Sequence, residues 1–440
     1  MTNDSAGYLE RRFRLKENGT TVKTEITAGA TTFITMAYIL AVNPLILSEA
    51  GMDKGAVFTA TAIASIVATL CMAFFANYPF VLSAGMGLNA FFTYSVVLGM
   101  GHSWEFALTA VFIEGIIFIL LSFINVREAI VNSIPENLKY AVSVGIGLFI
   151  AFVGFQASTL VVADEATLVT LGSVKSPEAI VTIVGLIVSI LFLVKGVQGA
   201  LLIGVLVATV VAIPLGVTQL PTSIFELPPS VAPTAFAFTR VGMDEIFSFD
   251  MFMVVITFLF VDMFDTIAML IGTATKADML DEDGKLPNLK PALMADAIGT
   301  TLGACLGTST VTTFAESASG VAAGGRTGLT SLTSAVLFGL ALFFAPLFTA
   351  IPAAATAPAL IIVGLFMIGS VVNIDFEDFT EGFPAFLAII VMPLTYSIGD
   401  GLMFGIIAYA VTKLLSRRAN EVSPVVYILA ILFTLRLIFM

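Results

Sequence analysis

Apolar runs long enough to cross about 30 Å of hydrocarbon recur along the chain from Ile26 to Leu415. In order they give fourteen windows, near residues 26–48, 57–77, 80–98, 104–124, 137–158, 178–194, 198–215, 248–272, 292–306, 309–324, 327–349, 355–372, 380–395 and 397–415. Most read as ordinary apolar helices, but the third and tenth are polar and broken by glycine. Phe80–Leu98 reads FVLSAGMGLNAFFTYSVVL, and Gly307–Gly328 reads GTSTVTTFAESASGVAAGGRTG. Non-helical backbone at membrane depth survives only where protein buries it or where it lines a cavity. These two stretches are therefore expected to build a binding site. Ahead of Asn89 the run Leu82–Leu88 holds Gly85 and Gly87, and ahead of Glu316 the run Thr308–Thr313 is rich in Thr and Val, which favour extended backbone. Each stretch should enter as a short strand and turn into a half-helix near Asn89 or Ala315. The strands could pair, and the half-helices would aim unsatisfied N–H groups at one cavity.

The longest non-membrane stretch, Gly216 to Phe247, carries Pro221, Pro228, Pro229 and Pro233 and follows the seventh window. Seven is odd, so the second half enters the membrane inverted, a recurring transporter plan with a midplane site between the halves. The spacing agrees, because Asn89 lies 51 residues after Tyr38 and Glu316 lies 51 after Asp265. The expected class is an all-α polytopic membrane protein of about 14 transmembrane segments in 7+7 inverted repeats, with strands and half-helices in segments 3 and 10. Its divisions are a cytoplasmic segment 1–25, a first repeat 26–215, an extracellular or periplasmic linker 216–247, a second repeat 248–415 and a C-terminal segment 416–440. Residues 423–440 are apolar but short, start after Pro424 and hold Arg436; they are expected along the interface or on the bundle edge rather than as a full crossing.

Composition and charge agree with this reading. The chain is 58% hydrophobic and 11% charged, against about 25% charged in soluble domains. With the N-terminus (Arg11, Arg12, Arg14, Lys16, Lys23) in the cytoplasm, Arg127, Lys139, Lys195, Lys276, Lys285, Lys290, Arg326, Lys413, Arg417 and Arg418 also fall inside. Only Lys54, Lys175 and Arg240 fall outside, as the positive-inside rule requires. A multi-pass cell-membrane protein with its N-terminus and loop 273–291 cytoplasmic follows. The N-terminal stretch has no apolar core of signal-peptide type, so the first span is expected to direct insertion. No basic patch suggests nucleic acid, and the net charge of −12 lies in loops and a few membrane positions.

The chemistry sits in few places. A carboxylate at the depth of Glu316 costs roughly 2.5–3.5 kcal/mol on insertion scales, so it calls for a function. In the eighth window, Asp262, Asp265 and Thr266 stand at i, i+3 and i+4, on one helical face. Two such carboxylates in hydrocarbon cannot both be bare, and one should be protonated for part of a cycle. The alternative is that they pair with a cation or cap a broken helix. Glu114 in the fourth window reads as a packing or coupling residue. Gly85, Gly87 and Ala90 imitate a dinucleotide fingerprint without its strand–helix context, and Ile398-Gly399-Asp400-Gly401 lacks the partner of an aspartyl protease. Asn18-Gly19-Thr20 is a sequon on the cytoplasmic side. His102, beside Trp104, suits an outer surface; Cys71 and Cys305 suit packing, and Gly299, Gly303 and Gly307 suit close helix contact. The chain has no nucleophile–base pair, metal cluster or cofactor motif, so neither enzyme activity nor a cofactor is expected.

KENGTTVKTEITAGATTFITMAYIL, ANYPF with GMGLNAFF, FVDMFDT and ESASGVAAGGRTGLT follow in that order between about Phe13 and Leu415. In these motifs the chain resembles the AzgA-like purine permeases, a branch of the nucleobase–cation symporters of the uracil and xanthine permease superfamily. The resemblance implies a core domain (26–124 and 248–349) and a gate domain (137–215 and 355–415), with strands of segments 3 and 10 crossing at the midplane. It implies that Asn89, Asp262, Asp265 and Glu316 bind the substrate or tune binding, and that adenine, guanine or hypoxanthine is carried, usually with protons.

The residues suit such a ligand. A purine offers ring N–H donors, ring-nitrogen acceptors and a flat face; Glu316 can accept, Asn89 can do both, and backbone amides can complete the edge. Thr266, Ala90 and Ser317 adjoin them, and Phe91, Phe92, Phe264 and Phe314 are aromatics within reach of the ring, though each individually suits packing. The expected function is secondary active import of purine nucleobases in symport with protons by alternating access. Asp262, Asp265 and Glu316 are the candidate proton carriers, and sodium is the alternative coupling ion. The expected partners are the base, the coupling ion and the lipid bilayer, with a homodimer compatible. An anion transporter or channel on the same architecture is the rival, although three carboxylates beside the half-helix ends oppose it.

Overall fold

Residues 7–124, 135–221, 223–276, 279–280 and 286–439 are described by the computed structural model. Arg127 and Lys285, and the side chains of Phe264, Lys276 and Arg436, lie outside them, as does part of the loop 273–291. The described chain is mostly helical. Among the described residues nine helices are long and apolar enough to cross a membrane, and shorter apolar helices cover Met86–Gly99, Ala200–Ala212, Phe379–Thr395 and Pro424–Leu435.

After α1 (Tyr8–Phe13), the first window holds α2 (Val22–Met36) and α3 (Ile39–Glu49), and the second holds α4 (Lys54–Cys71). The third holds β1 (Leu82–Ala84) and α5 (Met86–Ala90), and α5 runs on as a wider π-helix to Gly99. Then come α6 (Trp104–Ile124), α7 (Glu136–Ala157), α8 (Pro177–Val194) and α9 (Ala200–Ala212). The windows do not anticipate a hairpin of β2 (Val161–Asp164) and β3 (Leu168–Leu171) between α7 and α8, because its strands are too short to register as periodicity. The second half follows α10 (Met243–Ile246) with α11 (Phe249–Lys276), α12 (Leu289–Leu306), β4 (Val311–Thr313), α13 (Ser317–Ala322) and α14 (Gly328–Ala341). It closes with α15 (Ala345–Thr349), α16 (Ala353–Ile368), α17 (Phe379–Thr395), α18 (Ile398–Leu415) and α19 (Pro424–Phe439).

Local chemistry sets the ends. Thr21, Asp53, Ser176, Thr327, Asp378 and Ser397 each cap a helix start by accepting a backbone N–H. Gly307 does more than permit close packing. It closes α12 in the left-handed region (φ 101), where a Cβ would lie 2.2 Å from Thr234. Gly299 does serve close contact, since a Cβ there would meet Ala68 at 2.6 Å.

Packing sorts the helices into two sets. In one, α2 lies on α14, α4 on α12 and α14, and α6 on α11 and α12. In the other, α7 lies on α16 and α17, α8 on α9 and α16, and α17 on α18. The sets meet where α5 crosses α7: a Cβ at Gly87 would come within 2.7 Å of Ile146 Cγ2. At the end of the second set the buried Lys413 Nζ lies 2.6 Å from Glu381 and 2.7 Å from Glu421. Hydrogen bonds from Arg418 hold the Asp378 and Glu421 carboxyls below the usual carboxylate range. From this clasp α19 leaves and packs along α18 at the bundle edge, Val426 and Phe433 facing inward.

Candidate functional site

The two broken segments meet. β1 and β4 pair antiparallel in the register Leu82↔Thr313, Ser83↔Thr312 and Ala84↔Val311, and all six residues are buried. Gly85 N donates to Thr310 O at one end of the ladder and Phe314 N to Val81 O at the other. Pairing gives each strand the partners that apolar surroundings would deny it. The half-helices start at different points from those expected. The first begins at Met86, three residues before Asn89, because Gly85 already takes the extended cap position and accepts Asn89 N at 2.8 Å. The second begins at Ser317, with Glu316 as its cap residue.

Glu316 Oε1 accepts a hydrogen bond from Tyr38 Oη at 2.6 Å. Tyr38 is fully buried at the break between α2 and α3, where the chain turns between Met36 and Ile39. Glu316 and Asp265 are half-buried and Ala315 is exposed, so these three form the accessible part of an otherwise buried neighbourhood.

Three successive hydroxyls ahead of β4 reach back into the first half. Thr308 Oγ1 accepts from Asn43 Nδ2 at 2.9 Å, Ser309 Oγ donates to Asn89 Oδ1, and Thr310 Oγ1 donates to Glu114 Oε2 at 2.7 Å. Asn89 and Glu114 thereby hold the strand in place, Asn89 fully buried with its Nδ2 hydrogens unmatched among the described residues.

On α11, Asp262 and Thr266 are buried and Asp265 on the same face is half-buried. Thr266 Oγ1 lies 3.1 Å from Asp262 Oδ1, 2.8 Å from Asp296 Oδ1 of α12 and 2.8 Å from Thr312 Oγ1 of β4. A hydroxyl carries one hydrogen, so one carboxyl oxygen receives it. Asp262, Thr266 and Asp296 thus meet beside the strand, while Asp265 is only half-buried.

The other expected residues lie close by and are mostly buried. Phe91 sets its edge against Phe258 at 4.8 Å, and Ala90, Phe92 and Phe314 are buried. Ser317 Oγ accepts Val81 N at 3.0 Å and so extends the strand contact. Phe264 lies on α11 with its side chain outside the described residues. Sequence reasoning missed Tyr38 as a partner of Glu316, and it missed Asp296. The second carried a signal, a lone carboxylate inside the apolar ninth window; the first carried none, because tyrosine is unremarkable in a span.

None of the expected site residues lines the cavity of about 660 Å³ beside the loops that follow Gly99 and precede Phe249, where Tyr94, His102, Asp250, Tyr396 and Asp400 stand. His102 is not a bare surface residue: it stacks on Phe106 and its Nε2 lies 3.5 Å from Asp250.

Three comparisons bear on this arrangement. A family described as Permease family matches residues 23–407. The guanine/hypoxanthine permease PbuO of Bacillus subtilis (strain 168) is 47% identical over 97% of this chain and 99% of its own length. The adenine permease AdeP of Escherichia coli (strain K12) is 40% identical over 98% and 96%. Among solved structures, the transmembrane domain of the cyanobacterial bicarbonate transporter BicA superposes with TM-score 0.64 at 14% identity, covering 86% of this chain and 97% of that one. That last likeness is one of fold.

Proposed function

The chain belongs to the Permease family, a family of transporters rather than enzymes, and on that premise we propose that it imports purine nucleobases in symport with protons by alternating access. The substrate class rests on relatives named as guanine/hypoxanthine and adenine permeases along nearly the whole chain. The structural observation that carries it is Glu316, a carboxylate at the strand crossing with one oxygen held by Tyr38 and accessible surface beside it. Such an oxygen suits a purine ring N–H.

Asn89, Asp262, Asp265 and Glu316 are the proposed site, with Asp296 added to the proton-holding group. The proposed domains follow the two packing sets, 26–124 with 248–349 as core and 137–215 with 355–415 as gate, in a fourteen-span inverted repeat with its N-terminus in the cytoplasm. Motion of one set against the other along the α5–α7 contact would open the site to each side in turn. The anion reading draws on the fold shared with a bicarbonate transporter. It is disfavoured because Asp262, Asp265, Asp296 and Glu316 gather where an anion would sit.

Labelled purine uptake into cells or proteoliposomes tests the proposal. Glu316→Gln should reduce it at least ~100-fold, and dissipating the proton gradient should abolish accumulation by the unmodified protein. Uptake indifferent to both would sink it.

A further inference from the structure

The cavity of about 660 Å³ has the size of a small-molecule site, and none of the residues assigned above lines it. Its position on the chain is informative. The helix Met86–Gly99 carries Asn89 near its start at the strand crossing, and Tyr94 and Gly99 on the cavity wall. Five residues of helix separate Asn89 from Tyr94, a rise of about 7 Å. The cavity therefore opens one to two turns from the central site, on the face that the basic residues assign to the outside.

Aromatic rings gather at this wall of the cavity. Tyr94, Phe149 and Tyr396 meet edge to face, with ring centroids 5.4 Å (Tyr94–Tyr396), 5.2 Å (Phe149–Tyr396) and 6.5 Å (Tyr94–Phe149) apart. Tyr396 sits between α17 and α18 with φ 56, a left-handed conformation that non-glycine residues rarely adopt. Its carbonyl accepts Ser95 Oγ at 3.3 Å. One hydrogen bond thus ties the link between α17 and α18, in the second packing set, to the half-helix of the first, and any relative motion of the sets would strain or break it.

The wall also restricts the ligand. Asp250 and Asp400 disfavour an anion. Asp250 faces His102, and among the described residues no His, Cys, Asp or Glu cluster converges as a metal site would require. Phe249, Tyr94, Tyr396 and the imidazole of His102 offer flat surfaces, while the two carboxylates accept hydrogen bonds. A neutral, flat heterocycle with N–H donors fits such a wall. We propose that this cavity is a second purine subsite, in which the base waits outside the plug of Tyr94, Phe149 and Tyr396 before it enters the central site. The proposal rests on the purine reading given above.

Equilibrium dialysis of labelled hypoxanthine against the purified full-length protein in nanodiscs tests it. The unmodified protein should bind two bases per chain. Glu316→Gln should retain one weaker site, and adding Phe249→Ala with Asp400→Asn should weaken that site at least ~tenfold further. Phe249→Ala with Asp400→Asn alone should keep the tighter site, which also checks that the variant folds. One base per chain, with none bound by Glu316→Gln, overturns the subsite and leaves the purine reading standing. Residual binding that ignores the Phe249 and Asp400 changes also overturns it. No binding by the unmodified protein overturns both.

Discussion

The phenol of Tyr38 fixes one oxygen of Glu316 at 2.6 Å, and in the proposed site this orients the carboxylate toward the purine. Tyr38→Phe keeps the buried ring and removes only the donor. A hydrogen bond to a charged group is worth about 1.5–3 kcal/mol, so the apparent KM for purine should rise roughly 10–100-fold while thermal stability changes little. The concentration dependence of uptake measures this, and an unchanged KM would mean that Tyr38 does not orient Glu316. A second residue-scale prediction concerns the proton proposed to be held around Thr266. Asp296→Asn replaces a titratable carboxyl with a neutral amide of the same shape, so this position can no longer take up or release that proton. Counterflow exchange of labelled purine should persist, whereas accumulation driven by a proton gradient should fall to the level of equilibration. Full accumulation by this variant would remove Asp296 from the coupling group.

At the scale of elements, helix starts and breaks were largely legible because they depend on neighbours in the chain: a capping side chain, a glycine, a run of β-branched residues. The exceptions involve distant partners. The buried carboxylate of Glu25, on α2, accepts Arg326 N, Thr327 N, Thr330 N and Thr330 Oγ1 at the start of α14. An anion there satisfies N–H groups that a helix leaves open and complements its dipole. In the sequence Glu25 is only one charge of a polar N-terminal stretch. Glu25→Gln turns an acceptor-only group into one that also presents N–H, and should destabilise the protein by about 2 kcal/mol or more. Thermal unfolding in detergent should record the loss as a midpoint lower by several degrees; an unaltered midpoint would mean that Thr327 caps the helix unaided.

For the whole molecule, the proposed motion runs along the contact between the two packing sets, where Gly87 sits against Ile146. Gly87→Ala would place a methyl where 2.7 Å is available. The maximal uptake rate should fall at least ~tenfold while equilibrium binding of purine stays within about threefold. Loss of binding and rate together would place the contact in the site rather than in the motion. The number and placement of the apolar windows, the two broken segments and the acidic character of the site were determined by the sequence alone. They follow from the thickness of hydrocarbon and from the penalty on bare backbone and charge within it, both of which act on each segment separately. The tertiary structure alone decided that Tyr38 meets Glu316, that Asp296 joins Asp262 around Thr266, and that Thr308, Ser309 and Thr310 reach Asn43, Asn89 and Glu114. Those contacts join residues from 30 to 278 positions apart, and the packing of helices around the paired strands brings them together.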